Sequence, residues 1–152
     1  MKYLFIAILI PTLFLTKADK PVASGDDIIG TWLIDTKSTK VEFYKCGSNY
    51  CGKIVWMEDS EENRDTYGTP FKDVFNPDKD KRSENLVGQV NFKNFTYNAD
   101  DGKYEGKAYK YSNGKTYSGY AKMNDDGTLY TKGGYKVMGM MVGVSYTWTR
   151  VD

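Results

Sequence analysis

The chain of 152 residues balances 21 Lys and Arg against 20 Asp and Glu, a net charge of +1, and it contains 13 Tyr, 15 Gly, 2 Cys and no His. So even a balance argues against nucleic acid or an anionic membrane surface as the main partner, because both gather clustered positive charge. The missing imidazole excludes Ser-His and Cys-His nucleophile pairs, histidine zinc ligands and histidine pH switching.

The chain begins MKYLFIAILIPTLFLTKADKPVAS, a lysine followed by an apolar run from Tyr3 to Leu15 broken only by Pro11 and Thr12. Thr16 and Ala18 then place small residues at the −3 and −1 positions of a signal-peptidase site. The run is well short of the roughly 20 residues a spanning helix needs. Residues 1–18 are therefore expected to be an export signal, cleaved after Ala18 or, in second place, after Ala23, giving a periplasmic or secreted protein with no stable membrane insertion. Loss of Lys2 and Lys17 takes the basic count from 21 to 19 against 20 acidic residues, a net charge of −1. The remainder, residues 19–152, has the size of one domain with a real core.

From Gly30 onward short alternating segments are separated by turn residues, the pattern of an all-β sandwich or barrel. Candidate strands run over Gly30–Asp35, Thr39–Cys46, Cys51–Met57, Leu86–Phe92, Phe95–Asn98, Lys103–Tyr111, Lys115–Met123, Thr128–Lys136 and Val142–Val151. These nine fit a closed antiparallel up-and-down barrel of about 8–10 strands.

The first hairpin holds both cysteines. If Gly47–Tyr50 closes it, Cys46 faces Cys51, Phe43 faces Ile54 and Val41 faces Trp56, so the last four share an apolar face. A disulfide is the leading expectation for an exported protein, with a free pair as the alternative. Two thiolates are too few for a metal, and the spacing is not the Cys-x-x-Cys of redox catalysts. Residues 58–85 are charged and poor in aliphatic side chains, which predicts a long polar loop, a lid or a mobile excursion. Within it Asn76, Asp78 and Asp80 alternate as at the start of a calcium loop, but Lys81 replaces the sixth-position Gly and Val87 the closing Glu, so a solvated turn is the better reading.

Asn113-Gly114 predicts a two-residue type I′ hairpin. Its register puts Glu105, Lys107, Tyr109, Tyr111, Ser118, Tyr120 and Lys122 on a solvated face, and Tyr104, Gly106, Ala108, Tyr117, Gly119, Ala121 and Met123 inside. Four of the inner residues are no larger than alanine. The volume they leave is expected to be filled by Trp32 or Trp148, with an open cavity as the alternative. Candidate lining and mouth residues are thus Phe43, Ile54, Trp56, the seven inner residues of this hairpin, and Met138, Met140 and Met141, whose adaptable thioethers suit a barrel mouth.

Gly30-Thr31-Trp32 at the first strand and Thr147-Trp148-Thr149-Arg150-Val151 at the last resemble the calycin superfamily of lipocalins and fatty-acid-binding proteins. The resemblance implies that Arg150 packs across Trp32 at the closed barrel end, a structural role together with Trp148. The strings GTW, VEFYKCGSNYCGKIVW, FNPD, GKAYKYSNGKTYSG and TWTRV also resemble the bacterial exported domain-of-unknown-function family 2147, over nearly the whole span from Gly30 to Val151. That resemblance implies a lipocalin-like shape and an exported location, without chemistry. Glu84-Asn85-Leu86 and Gly133-Gly134-Tyr135 stand where the family has Arg-Pro-Leu and Arg-Gly-Tyr, so no role of those arginines is carried over.

The expected function is binding of a small apolar or amphipathic molecule, with no cofactor and no metal. The alternative is an envelope module that contacts another protein and has a filled barrel. Enzymatic activity would need carboxylates, and Asp73, Asp78 and Asp80 lie on the polar loop with nothing in the sequence to raise their pKa.

Overall fold

The computed structural model describes residues 24–151, so the expected export signal and its cleavage sites lie outside the described residues. Period-two alternation builds the sheet: in the second strand Thr39, Val41 and Phe43 are buried, while Lys40, Glu42 and Tyr44 between them are not. Eight strands result, β1 (Gly30–Leu33), β2 (Thr39–Cys46), β3 (Asn49–Met57), β4 (Val90–Asn98), β5 (Lys103–Lys110), β6 (Lys115–Met123), β7 (Leu129–Val137) and β8 (Met140–Arg150). Each pairs antiparallel with the next and β8 returns to β1, which closes the barrel in up-and-down order. The expected strands at Leu86–Phe92 and Phe95–Asn98 are a single irregular strand, β4. Its pairing with β5 shifts between Lys93 and Thr96, and Asn94 takes a left-handed φ of 56°.

Both hairpins differ in register from the sequence expectation, each by two residues. The β2–β3 turn is Gly47-Ser48, so Cys46 faces Asn49 and Tyr44 faces Cys51. The cysteines sit diagonally across the ladder and form a disulfide with a Cα–Cα distance of 5.8 Å. The β5–β6 loop is Tyr111–Gly114, so Lys110 faces Lys115 and Ala108 faces Tyr117. Gly114 has a φ of 66° there, the left-handed conformation that glycine adopts without cost. A slip of two leaves every side chain on its expected face, which is why the inner row survives both errors. A bulge does not. Val41 pairs with Ile54 and Lys40 with Trp56, so Val55 is an extra residue and the alternation reverses after it. Met57 turns into the core, whereas Trp56 turns out, 40% exposed, beneath the Lys40 ammonium at 5.1 Å.

A 3-10 turn at Gly25–Ile28 seals one end of the barrel. Ile28 and Trp32 are fully buried there, and the Trp32 Nε1–H donates to Ile28 O at 2.9 Å. The Arg150 guanidinium lies 4.3 Å from the Trp32 ring centroid. It donates from Nη1 to Ile29 O at 2.7 Å and from Nη2 to Asp27 O at 2.6 Å. One side chain thus ties the last strand to the segment that precedes the first. Tyr50 and Tyr104 add donations from their hydroxyls to Asp26 Oδ1 at 2.7 Å and Ser24 O at 3.1 Å.

The opposite end is asymmetric. Among the described residues β1 and β8 pair only at Trp32↔Arg150 and Leu33↔Thr149, whereas β7 follows β8 along nine register positions up to Val137↔Met140. The upper part of β8 therefore rises past the end of β1 with one edge uncovered.

Replacing Arg150 by Met should lower stability by about 2 kcal/mol in urea unfolding, because two charge-assisted bonds and a cation–π contact disappear together. Arg150→Lys should recover less than half of it, since an ammonium cannot stack and reach both carbonyls. The double change Cys46→Ser, Cys51→Ser should cost about 2 kcal/mol in the same assay, as expected from opening so short a ring.

Candidate functional site in the barrel interior

Inside the sheet lies a cavity of about 500 Å³. Its floor is aromatic: the Phe92 ring centroid is 5.4 Å from both Phe43 and Trp148, and Phe95 lies 5.9 Å from Phe92. Tilted and edge-on contacts of this kind suit the ring quadrupoles. Val41, Ile54, Ala108, Gly119 and Ala121 form much of the wall, with Val142, Val144 and Tyr146 of β8 completing it. The two indoles expected to fill the interior are both buried, but they occupy the sealed end and the floor, and the space above them stays open.

Six residues expected at the lining are there: Phe43, Ile54, Ala108, Tyr117, Gly119 and Ala121. The others are elsewhere. Tyr104 is buried at the sealed end, where its ring meets Tyr50 at 5.5 Å, and Met123 packs against the same cluster. Gly106 is covered by Phe95, whose ring a Cβ at that position would strike, so part of the volume the small residues leave is taken by a side chain from β4. Trp56 is outside for the reason given above. Met138, at 95% exposure, forms the tip of the β7–β8 hairpin with Met140 and Met141; none of the three lines the cavity, because the hairpin overshoots the rim. Beneath that tip the inward row continues with Tyr135 and Val142, both more than half exposed, so the wall on this side opens to solvent.

Phe92, Phe95 and Asn91 belong to the lining but were not expected there. Two bulges interrupt the alternation in β4: Asn91 is the extra residue where Gly52 pairs with Phe92 and Lys53 with Val90, and the pairing with β5 shifts again between Lys93 and Thr96.

Residues 58–89 connect β3 to β4 at the open end and are more ordered than a polar excursion would be. Ser60 caps helix α1 (Glu61–Tyr67), accepting from Asn63 N at 3.2 Å. Tyr67 and Leu86 then pack with Ile54 and Met57 in a second apolar cluster. Tyr67 also meets Tyr111 edge-on at 5.5 Å, and the Tyr111 hydroxyl shares a 3.1 Å hydrogen bond with Thr39 Oγ1 across the rim. Asp73, expected on a solvated loop, is fully buried. Its carboxylate accepts from Tyr109 OH at 2.8 Å and from Asn76 Nδ2 and Gln89 Nε2 at 2.7 Å each. Three donors at a buried carboxylate make it a fastening between the connection and the β5 wall. Asp78 instead accepts from Asp80 N at 3.1 Å and starts a 3-10 turn at Lys79–Lys81.

An eight-stranded antiparallel barrel, sealed by an arginine over a tryptophan and enclosing an apolar cavity, resembles a lipocalin. A family model described as an uncharacterized protein conserved in bacteria, domain-of-unknown-function family 2147, matches residues 30–150, and the chain belongs to that family. A solved structure of protein HP1028 from Helicobacter pylori, described as belonging to the lipocalin family, is similar to the chain with a TM-score of 0.67 and 25% identity. The match covers 82% of this chain and 83% of that one. No curated protein sequence matches the chain.

Two outcomes test this arrangement. Burial pushes the Tyr50 and Tyr67 hydroxyls up to about 12 and raises Tyr104 and Tyr109 as well; Tyr50 and Tyr109 are raised further by their carboxylate partners, Asp26 and Asp73. A raised folded-state value means stability that is fully present below the unfolded tyrosine pKa of about 10 and lost as pH climbs through the folded value. Tyrosinate absorbance should therefore rise in two phases, the later one coinciding with unfolding near pH 12. Asp73→Ala, which strands one buried and two part-buried donors, should cost about 3 kcal/mol. Hydrogen exchange should quicken over residues 61–86 before it does at the sealed end.

Proposed function

We propose that the protein is an exported binding protein that holds one small apolar or amphipathic molecule inside the barrel. The cavity carries the proposal: about 500 Å³, walled mostly by apolar and aromatic side chains and open toward one end. That volume falls within the range of about 300–1,000 Å³ typical of small-molecule sites. A close-packed interior would have been the cheaper state for an inert barrel. The likeness to a protein described as a lipocalin favours binding over catalysis, and the only fully buried carboxylate among the described residues, Asp73, is committed to three hydrogen bonds outside the cavity floor. The disulfide fits an oxidising compartment. Among the described residues no helix is long and apolar enough to cross a membrane. The open cavity counts against an interaction module with a filled barrel.

Fluorescence of diphenylhexatriene, a hydrocarbon probe without polar atoms, should rise saturably with one site per chain. Ala108→Trp, which plants an indole in the cavity, should abolish that signal while the protein still unfolds cooperatively. A wild-type protein that leaves the probe dark, and whose melting temperature no lipid raises, would sink the proposal.

A further inference from the structure

The even charge of the whole chain conceals an uneven distribution. From Lys103 to Val151 the sequence holds eight Lys and Arg against three Asp and Glu, and from Gly127 to Val151 it holds no acidic residue. Two of those three acids, Asp125 and Asp126, lie in the β6–β7 turn at the sealed end. Three lysines of this half sit instead at the open end. Lys110 and Lys115 face each other across the last rung of the β5–β6 hairpin, an opposition of like charges that costs stability. Neither forms an ion pair among the described residues. Lys136, near the end of β7, comes only to 3.7 Å of Glu105, with both side chains more than half exposed, a pair that neutralises little.

Between β7 and β8 the hairpin that projects past the rim is apolar and bare. Met138 is 95% exposed and Met140 69%, and Val137, Val142 and Val144 are each about half exposed. Below this tip the Tyr135 ring meets Tyr117 at 5.3 Å, which ties the hairpin to the one that carries Lys110 and Lys115. A contiguous exposed apolar patch marks a contact site, and its shape and charge select the partner. A stable protein interface takes about 800 Å² from each side in a broad, packed patch, whereas this surface narrows to the turn at Met138-Gly139. A second copy seated on it would bring lysine against lysine. A bilayer surface admits a narrow apolar tip without a preformed pocket, its boundary suits tyrosine, and anionic headgroups complement the three ammonium groups.

We propose that the protein docks reversibly on an anionic phospholipid surface, with the tip of the β7–β8 hairpin among the acyl chains and Lys110, Lys115 and Lys136 at the headgroups. The contact is peripheral, held by one turn and a few charges. Tip and lysines belong to the end at which the cavity opens, so docking turns the mouth of the barrel toward the lipid.

Flotation of the purified protein with lipid vesicles tests the proposal. Binding to phosphatidylcholine vesicles with about one-third phosphatidylglycerol should exceed binding to phosphatidylcholine alone by about tenfold, and should fall as salt rises from about 0.05 to 0.5 M. Met138→Ser combined with Met140→Ser should lower it about tenfold. Lys136→Gln should lower it about fivefold, while Lys122→Gln, the same loss of charge at the sealed end, should leave it unchanged. Emission of Met138→Trp should be quenched by lipids brominated on the acyl chain, beyond any quenching of the wild type. None of these four positions lines the cavity, so every variant should keep the wild-type melting temperature and diphenylhexatriene binding. Ala108→Trp, which blocks the cavity, should dock normally, which separates failure of docking from failure of the binding function. Protein that ignores anionic vesicles leaves the tip to a protein partner and overturns the proposal. Equal effects of Lys136→Gln and Lys122→Gln, or a methionine variant that binds like wild type, overturn it as well. So does self-association in sedimentation velocity that the methionine substitutions abolish, which would assign the tip to a second copy.

Discussion

The barrel depends on one contact, the Arg150 guanidinium laid on the Trp32 indole. Closing a sheet joins the two ends of the chain, and the entropy of that long loop must be repaid where they meet. Here β1 is four residues long and offers little ladder. The guanidinium compensates by acting on three groups at once, the ring and the carbonyls of Ile29 and Asp27. It thereby holds the 3-10 turn under the barrel, and that turn supplies Ile28, whose carbonyl satisfies Trp32. With the sealed end fixed in this way, the interior above it can be left open without the sheet collapsing inward.

The fold was legible in the sequence because its main information has a period of two. The turns of the cysteine and Asn-Gly hairpins differ in length from what their sequences suggest, yet each by two residues of register, so the row Tyr104, Gly106, Ala108, Tyr117, Gly119, Ala121 keeps its face. The site was legible only in part. A β-bulge moves one residue across the sheet and carries no composition of its own, so the outward position of Trp56 and the inward one of Asn91 were both invisible. The small residues of β5 and β6 signalled free volume, but not that Phe95 from β4 would claim the part beside Gly106. Long-range packing decides that, and alternation within a strand says nothing of it.

The connection between β3 and β4 shows a different limit. Its composition reads as solvated, and most of its side chains are, but Tyr67, Asp73, Asn76 and Leu86 are buried. Four anchors suffice to fold a polar segment onto a barrel when one of them is a carboxylate with three donors. Two of those donors, Asn76 and Gln89, come from the connection itself, and the third, Tyr109, comes from the wall. The aspartate thus couples the conformation of the rim to that of β5, which also provides Ala108 to the cavity and the backbone carbonyl that orients Asn91.

The mismatch between a short first strand and a long last one gives the cylinder a seam. Neighbouring strands β5 and β6 share eight register pairs, whereas β1 and β8 share two. Thermal breathing of the wall will therefore concentrate along that line, since parting the edges there breaks the fewest backbone bonds. The arginine sits at the foot of the seam like a rivet at the end of a slit. Above it the sheet can widen sideways to admit a bulky guest while the base stays shut.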